Sequence, residues 1–324
     1  MKKLALCLAS ILIFANTACA SGESEPLDSD EDPIYIKMPA SCTEEIEQAG
    51  KLITESYTTQ KEDGRKIQKN VTVYLPYQYD PSLEYNILYL MHGGGGNINT
   101  LLGSPGKVTT MKYVLDHMIH NRMIEPLIVV APTFYTGEDS DRGERSNMDD
   151  FVHSFQKELR DDLIPAVEST YSTYAQGTSN EALTESRNHR AFSGFSMGGV
   201  TTWYALAENL AYFETYIPAS GDCWAIEPMG GRSKPGETAE YLANAIKSQG
   251  FSPLDFFIFA ITGTKDMAYD NLSPQISAMK ALSNDFPYSS DSEKGNLFFL
   301  EVEDGLHDYD WYTEYLYNIL PMIF

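Results

Sequence analysis

A serine inside a glycine-rich pentapeptide is the clearest candidate for chemistry in this sequence. Residues 191–199 (AFSGFSMGG) have the order of a short strand, a tight Gly-x-Ser-x-Gly turn and the first turn of a helix. Such a strained turn lifts the hydroxyl of Ser196 above the edge of a sheet. It also leaves the N–H of Met197 at a helix N-terminus, where it can stabilise an oxyanion. The pattern predicts the nucleophile of a hydrolase, provided that other segments supply a base, an acid and a second oxyanion donor.

Two later apolar runs end in residues that complete such a site. Hydrolases with this kind of turn carry their triad in the chain order Ser, Asp or Glu, His. The run 256–262 leads to Asp266, and the run 297–302 leads to His307. In the predicted triad His307 takes the proton of Ser196 and returns it to the leaving alcohol. Asp266 would fix the tautomer of the imidazole and stabilise its protonated form.

Other acids and histidines remain as alternatives to this pair. Asp222, Asp270 and Asp304 also follow the serine, although Asp304 would have to fold back to reach the ring of His307. Of the other histidines, His117, His120 and His153 fall in predicted helices, and His189 lies upstream of the serine. We therefore favour Asp266 and His307.

A second oxyanion donor is predicted in a run of four glycines. Residues 85–91 (YNILYLM) are typical of a central strand buried on both faces, and His92 and the glycines follow it. A nucleotide site does not fit, because Ile98 stands where Gly-x-Gly-x-x-Gly needs its last glycine and Val108 where a P-loop needs Ser or Thr. We expect the N–H of Gly94 to be the donor, and His92 to brace the turn.

Alternating strand and helix patterns predict the fold. Strands are predicted over residues 51–59, 66–75, 85–91, 127–131, 189–195, 213–218, 255–262 and 297–302, and helices over 109–122, 148–169, 197–207, 237–249, 273–284 and 308–320. The first two strands flank Asp63-Gly64, which is a hairpin signal. Strands separated by long helices predict an α/β fold with a mostly parallel, doubly wound sheet and helices on both faces.

The first 20 residues have the features of an export signal. Lys2 and Lys3 precede the apolar run 4–15, which is short for a membrane span. Two cleavage sites compete. Residues 18–20 (ACA) suit ordinary signal peptidase, whereas a lipobox over residues 17–19 would leave Cys19 as a lipidated N-terminus. We expect a bacterial protein that is secreted or is a cell-surface lipoprotein.

The rest of the chain divides into a linker and one domain. Residues 21–32 contain six acidic residues and no basic one, so we predict a disordered acidic linker over 21–45. Residues 46–324 then form a single catalytic domain.

Charge and cysteine content exclude several classes of function. The formal net charge of -23 argues against nucleic acid as a partner, and against a membrane except through an N-terminal lipid. No Cys-x-x-Cys or His-Glu-x-x-His spacing occurs, so we expect neither a metal site nor a cofactor. Cys42 and Cys223 would be able to pair in an oxidising compartment, or they are two unrelated buried thiols.

From about Lys51 to its end, the chain resembles carbohydrate esterase family 1, which includes xylanase-linked feruloyl esterases. More distantly it is similar to the esterase D and enterochelin esterase group. The matching segments are LYLMHG (88–93), Phe155, Glu158-Leu159, LIP (163–165), GFSMGG (194–199), GTKD (263–266), His307-Asp308 and Trp311. The resemblance implies the α/β-hydrolase fold, a triad of Ser196, Asp266 and His307, and an oxyanion hole formed by Gly94 and Met197.

The resemblance also implies a substrate class. It suggests an exported serine esterase that removes feruloyl groups from plant cell-wall xylan, without a cofactor. Alternative substrates are acetylxylan and the esters of a siderophore or a small metabolite. The alternative from another class of function is a non-catalytic glycan-binding protein. Tyr135, in the polar segment 133–147, and Trp224 are candidate walls for a phenolic acid or a sugar ring, or they are packing aromatics.

Overall fold

The computed structural model describes residues 35–61, 63–136 and 148–324, and the core of this part is an eight-stranded sheet. The strands are β1 (Lys51–Gln60), β2 (Lys66–Leu75), β3 (Asn86–Met91), β6 (Leu127–Ala131), β7 (Arg190–Phe195), β8 (Thr215–Ala219), β9 (Phe257–Gly263) and β10 (Leu297–Val302), and a separate small hairpin contains β4 (Gly103–Ser104) and β5 (Lys107–Val108). Their order across the main sheet is β1-β2-β6-β3-β7-β8-β9-β10.

Strand direction confirms the predicted architecture. The β1–β2 hairpin and the β2–β6 pair are antiparallel, and the pairs from β6 through β3, β7, β8 and β9 to β10 are parallel. Parallel neighbours need long crossover connections, which the chain supplies as helices. The carboxyl ends of β3, β7, β9 and β10 therefore meet at one edge of the sheet, where ligands bind in such folds.

Helices cover both faces of the sheet. They are α1 (Thr110–His120), α2 (Met148–Glu158), α3 (Ile164–Glu168), α4 (Asn180–Glu185), α5 (Met197–Glu208), α6 (Gly230–Ser233), α7 (Pro235–Ser248), α8 (Tyr269–Ala281) and α9 (Tyr309–Ile319). Successive side chains of a strand point to opposite faces, so β3 contributes Ile87 and Tyr89 to one core layer and Leu88 and Leu90 to the other. Helices α2, α5, α7 and α8 pack on the first layer, and α1 and α9 pack on the second.

The segment predicted as one helix over 148–169 is interrupted. Helix α2 ends at Glu158, a π-helical turn spans Leu159–Leu163, and α3 follows. Pro165 lacks an N–H and cannot donate to the carbonyl four residues earlier. Its position explains why regular α-helical hydrogen bonding is not maintained through this segment.

Part of the predicted linker is folded onto the domain. The hydroxyl of Tyr35 donates to Glu314 at 2.5 Å, and the side chain of Asn318 bonds both the N–H and the carbonyl of Ile36. The side chain of Cys42 is buried in the second core layer. The prediction of a disordered linker was therefore wrong for residues 35–45, because polar groups on α9 bind this backbone.

Several predictions lie outside the described residues. These are the signal segment 1–20, the lipidation of Cys19, the linker from 21 to 34, and residues 137–147 of the segment predicted to border the site. In the part of the chain that is described, no helix combines the length and apolar content that crossing a bilayer requires.

Of the two alternatives for Cys42 and Cys223, the structure shows two buried thiols and no disulfide. Cys42 and Cys223 are both free and buried. They cannot meet, because Cys42 lies in the core layer that contains Leu88, and Cys223 lies in the layer on the opposite face of the sheet. Burial raises the pKa of Cys223 to about 12, so its thiol stays protonated and unreactive.

Reducing agent should therefore leave the stability of the protein unchanged. A bridge from Cys42 to Cys223 would close a loop long enough to contribute about 4–5 kcal/mol. Thermal unfolding with and without dithiothreitol should give the same midpoint. A midpoint that falls by several degrees on reduction would show that the thiols are linked after all.

Candidate active site

Ser196 occupies the strained turn between β7 and α5. Its backbone has φ 58° and ψ -116°, a conformation that L-residues rarely adopt and that is retained at functional sites. The turn is tight enough to require glycine on either side of the serine. A Cβ on Gly194 would lie 2.2 Å from the carbonyl oxygen of Gly198, and one on Gly198 would lie 2.3 Å from that of Met91. The sequence pattern therefore has a direct steric cause.

Replacement of Gly198 by alanine should destabilise the protein. The new methyl group would overlap a backbone oxygen of β3, which cannot rotate away, and we expect a loss of about 2–4 kcal/mol in the free energy of unfolding. Urea unfolding measures this loss. Gly236→Ala is the matched control, because a Cβ there meets no atom within 4 Å. Equal stability of the two variants would contradict the steric explanation.

The structure brings the three predicted triad residues together. The Nε2 atom of His307 lies 2.9 Å from Oγ of Ser196, and Nδ1 lies 2.6 Å from Oδ1 of Asp266. The Asp266 carboxylate is buried and also accepts the N–H of Ala268 at 2.7 Å. Because a carboxylate can only accept, Nδ1 carries the proton and Nε2 is free to accept the hydroxyl proton of Ser196.

Two adjacent loops hold the acid and the base. The loop after β9 contains Asp266, and the loop after β10 contains His307. They touch at Gly263 and Gly305, where a Cβ on Gly263 would lie 2.2 Å from the Gly305 oxygen. The N–H of Lys265 donates to that same oxygen at 3.1 Å. This backbone contact fixes the separation of the two side chains.

The other candidates for the acid and the base of the triad make contacts away from Ser196. Asp304 is exposed and pairs with Lys265 at 2.6 Å, and Asp270 is exposed at the start of α8. Asp222 is buried and accepts hydrogen bonds from Trp224 and Gly231. The other histidines contact residues away from the serine: His117 (Glu44), His120 (Gln48), His153 (Glu208) and His189 (Asn86).

The glycine run lies against the serine turn. A Cβ on Gly93 would be 3.2 Å from Cβ of Ser196, and one on Gly94 would be 3.4 Å from Cγ of Met197. The N–H of Met197 is in the first turn of α5, where N–H groups have no acceptor within the helix. For Gly94, the described part of the chain contains no acceptor for its N–H. Both predicted oxyanion donors are therefore next to the serine.

Tyr135 and Trp224, the two aromatic residues predicted to line the substrate site, differ in burial. Tyr135 is buried, and its hydroxyl accepts the N–H of Gly95 at 2.9 Å, so the structure favours the packing role. Trp224 is half-buried, and its indole N–H donates to Asp222 at 3.0 Å. Burial raises the pKa of the Asp222 carboxyl. Of the two, only Trp224 is partly exposed.

His92 and Tyr309 complete the surroundings of the glycine run. His92 is buried, with ring nitrogens 2.7 Å from the Gly93 oxygen and 2.7 Å from Oγ1 of Thr133, so it braces the turn as predicted. Sequence reasoning missed Tyr309, whose hydroxyl accepts the N–H of Gly93 at 3.0 Å. The sequence gives only one hint of this role, which is that Tyr309 lies two residues after His307. The spacing of aromatic residues in its helix otherwise predicts packing in the core.

The site as a whole has the parts for acyl transfer. It combines a hydroxyl nucleophile, an imidazole within hydrogen-bond reach and a carboxylate that orients the imidazole, which is the arrangement that activates serine. Among the described residues no group of three or more His, Cys, Asp or Glu side chains is placed to hold a metal ion.

Comparison with known proteins agrees with this geometry. The family model described as "Putative esterase" matches residues 64–323. Endo-1,4-beta-xylanase Y from Acetivibrio thermocellus is 43% identical over 290 residues, which is 90% of this chain. The chain spans only 24% of the length of that relative.

Solved structures give the same result. A mutant of the feruloyl esterase module from Clostridium thermocellum, complexed with sinapinate, is 41% identical with a TM-score of 0.78, covering 92% of this chain and 96% of that one. A CE1 ferulic acid esterase from Anaeromyces mucronatus, in complex with ferulic acid, is 16% identical with a TM-score of 0.63, covering 89% and 96%, and supports the fold alone. The chain therefore belongs to the esterase family, a family of carboxylic ester hydrolases, and has the α/β-hydrolase fold.

Proposed function

We propose that this protein is an exported serine esterase that hydrolyses feruloyl and related hydroxycinnamoyl esters on plant cell-wall xylan. The observation that carries the proposal is the hydrogen-bonded chain from Ser196 through His307 to Asp266. It occurs in a chain 41% identical to a feruloyl esterase module that has been crystallised with sinapinate, a hydroxycinnamate.

In the proposed acylation step, Ser196 is the nucleophile and His307 is the base. As Oγ of Ser196 attacks the ester carbonyl carbon, its proton passes to Nε2 of His307, and the carbonyl electron pair moves onto oxygen. The N–H groups of Gly94 and Met197 stabilise this oxyanion, and each such donor is worth about 10²–10³ in rate. The intermediate collapses when the bond to the sugar oxygen breaks and His307 returns the proton to that oxygen. The sugar leaves as an alcohol, and the acyl group stays on Ser196.

Deacylation repeats these steps with water. His307 takes one proton from water as the water oxygen attacks the acyl carbon, and the same two N–H groups stabilise the second oxyanion. The bond to Oγ then breaks, Ser196 regains its proton from His307, and the free acid departs. Asp266 takes up no proton in these steps; it holds Nδ1–H and stabilises the imidazolium.

Trp224 is the candidate wall for the phenolic ring. Its indole is fixed at one end by Asp222, while the side chain remains half-buried. A flat, partly exposed aromatic side chain is suited to stacking against a hydroxycinnamoyl ring. The resemblance at sequence level does not assign this residue, so its role is part of the proposal.

Two observations support xylan as the substrate and export of the enzyme. The relative from Acetivibrio thermocellus is a xylanase, of which this chain matches 24%. The first 20 residues resemble an export signal, which would bring the enzyme to a polymer that cannot enter a cell. A lipidated Cys19 would keep it on the cell surface, whereas ordinary cleavage would release it.

Release of acids from defined esters tests the proposal. The purified full chain should release ferulate from methyl ferulate and from feruloylated arabinoxylan faster than it releases acetate from acetylated xylan. Faster acetate release would instead identify an acetylxylan esterase. Activity on p-nitrophenyl acetate alone would indicate a small-ester hydrolase. Xylan binding with no ester turnover would indicate a glycan-binding protein and would contradict the proposal.

A further inference from the structure

Two tyrosine hydroxyls hold the backbone on either side of Gly94. The N–H of Gly93 donates to Oη of Tyr309 at 3.0 Å, and the N–H of Gly95 donates to Oη of Tyr135 at 2.9 Å. We propose that Tyr309 and Tyr135 are positioning residues that hold the oxyanion loop, residues 93–96, so that the N–H of Gly94 points at the reacting carbonyl oxygen. This inference rests on the proposed function of the site.

The oxyanion loop needs such support because it consists of glycine alone. Glycine loses more conformational freedom on folding than any other residue, and fixing one backbone residue costs about 1–2 kcal/mol. Inside the loop one backbone hydrogen bond is formed, from the N–H of Gly96 to the oxygen of Gly93 at 3.1 Å. Gly95 has φ 77°, which makes larger residues unfavourable there. A Cβ on Gly96 would lie 2.8 Å from the ring of His92. Stiffer residues are therefore unfavourable at Gly95 and Gly96, and neighbouring side chains must supply the order.

Tyr309 links the loop to the base and the nucleophile. It lies at the start of α9, two residues after His307, and its ring centroid is 5.2 Å from that of Phe195. The ring of Phe195 is in turn 4.6 Å from the ring of His307. A Cβ on Gly93 would lie 3.1 Å from Oη of Tyr309, so the phenol fits directly against this part of the backbone. Burial raises the pKa of Tyr309, and the hydroxyl stays neutral at working pH.

Tyr135 reaches the loop from the other side. It follows β6, its side chain is buried, and its ring stacks on His92 with a centroid distance of 5.8 Å and an interplanar angle of 16°. Oγ1 of Thr133 lies 2.7 Å from Nε2 of His92 and accepts the N–H of Tyr135 at 3.2 Å. The phenol is therefore held by its own backbone and by a buried ring.

The pattern of occupied donors supports a role in orientation. Gly93 and Gly95 donate to the two phenols, whereas Gly94 between them has no acceptor in the described part of the chain. Fixing the peptide groups before and after Gly94 limits the rotation of its own N–H. A catalytic donor has to be oriented before the reaction, because reorientation during the reaction would cost part of the stabilisation.

Removal of each phenol oxygen tests the proposal. Tyr309→Phe and Tyr135→Phe delete only the acceptor. Tyr85→Phe and Tyr79→Phe are matched controls, because those hydroxyls also accept a backbone N–H, from Asp80 at 2.9 Å and Ser172 at 2.8 Å. The kinetic measurements are kcat and KM of the purified full chain on methyl ferulate and on p-nitrophenyl acetate. Inhibition by phenylboronic acid and by ferulate is measured on the same variants, and thermal unfolding measures their stability.

The two site variants should lose turnover and not substrate binding. We expect kcat to fall about 10- to 100-fold, below the loss of a whole oxyanion donor, while KM stays within about twofold. Phenylboronic acid forms an anionic tetrahedral adduct with Ser196 that places an oxygen where the oxyanion would form, so its inhibition should weaken in parallel. Inhibition by ferulate should not change. The controls should keep wild-type kinetics, with at most a similar loss of thermal stability.

Two results would overturn the proposal. Wild-type kcat and boronate affinity in both site variants, with stability lowered as in the controls, would show a merely structural role. A rise in KM with kcat unchanged would show direct substrate contact instead. The two tyrosines lie on different elements, so one folded site variant is sufficient for the test. Wild-type activity on p-nitrophenyl acetate without activity on methyl ferulate would refute the proposed acyl specificity and still allow the tyrosine comparison.

Discussion

Ser196→Ala is expected to lower kcat on methyl ferulate by at least about 10⁴-fold, the scale seen when a triad nucleophile is removed. The substitution removes the only oxygen within hydrogen-bond reach of Nε2 of His307 in the described part of the site. Substrate binding should persist, because the N–H groups of Gly94 and Met197 are untouched. Ferulate release followed by absorbance measures the change.

Ser193→Ala is the matched control for this substitution. Ser193 lies on β7, the strand that leads into the turn of Ser196. Its buried hydroxyl donates to the oxygen of Ile217 at 3.0 Å and contacts the hydroxyl of Tyr312 at 2.7 Å. Its loss should reduce the free energy of unfolding by about 1–2 kcal/mol and leave kcat near the wild-type value. If Ser196→Ala kept several per cent of wild-type activity, another residue would have to be the nucleophile.

Asp266→Asn is expected to have the second largest effect, about 10⁴-fold in kcat, the loss measured for the equivalent change in a serine protease. The amide would present either an N–H or an oxygen to Nδ1 of His307. When it presents the N–H, the imidazole must place its own proton on Nε2, and that nitrogen no longer accepts the proton of Ser196. The measurement is again kcat on methyl ferulate, with circular dichroism to confirm folding.

Asp304→Asn separates this role from a general effect of charge. Asp304 is close to His307 in sequence, but its exposed carboxylate pairs with Lys265 on the surface. Exposed pairs of this kind contribute about 0–1 kcal/mol, so activity should stay within about twofold of wild type. A large loss in Asp304→Asn together with a small loss in Asp266→Asn would reverse the assignment of the acid.

Much of the fold was predictable because its signals are local. Strands 66–75, 127–131 and 297–302 were predicted with the bounds that the structure shows, since buried strands are short apolar runs ended by turn residues. The meeting of Ser196, Asp266 and His307 follows from the topology, because parallel strands bring their carboxyl ends to one edge. Their contact could therefore be inferred without coordinates.

Contacts that depend on which face of the sheet a segment covers were not predictable. The suggested pairing of Cys42 with Cys223 depended on the face of the sheet on which each cysteine lies. No local sequence pattern predicts that face. The binding of Ile36 to Asn318 likewise joins residues far apart in the chain. Tyr309 gave no chemical signal, because its role depends on the position of Gly93, which is reached only after the sheet is assembled.

Covalent trapping tests the mechanism most directly. An activated ester such as 4-nitrophenyl ferulate should acylate the enzyme faster than water removes the acyl group. We predict a burst of one equivalent of nitrophenolate and a mass increase of one feruloyl group on the peptide that contains Ser196. A feruloyl group on any other residue, or turnover with neither burst nor adduct, would contradict the assignment of Ser196 as the nucleophile of a feruloyl esterase.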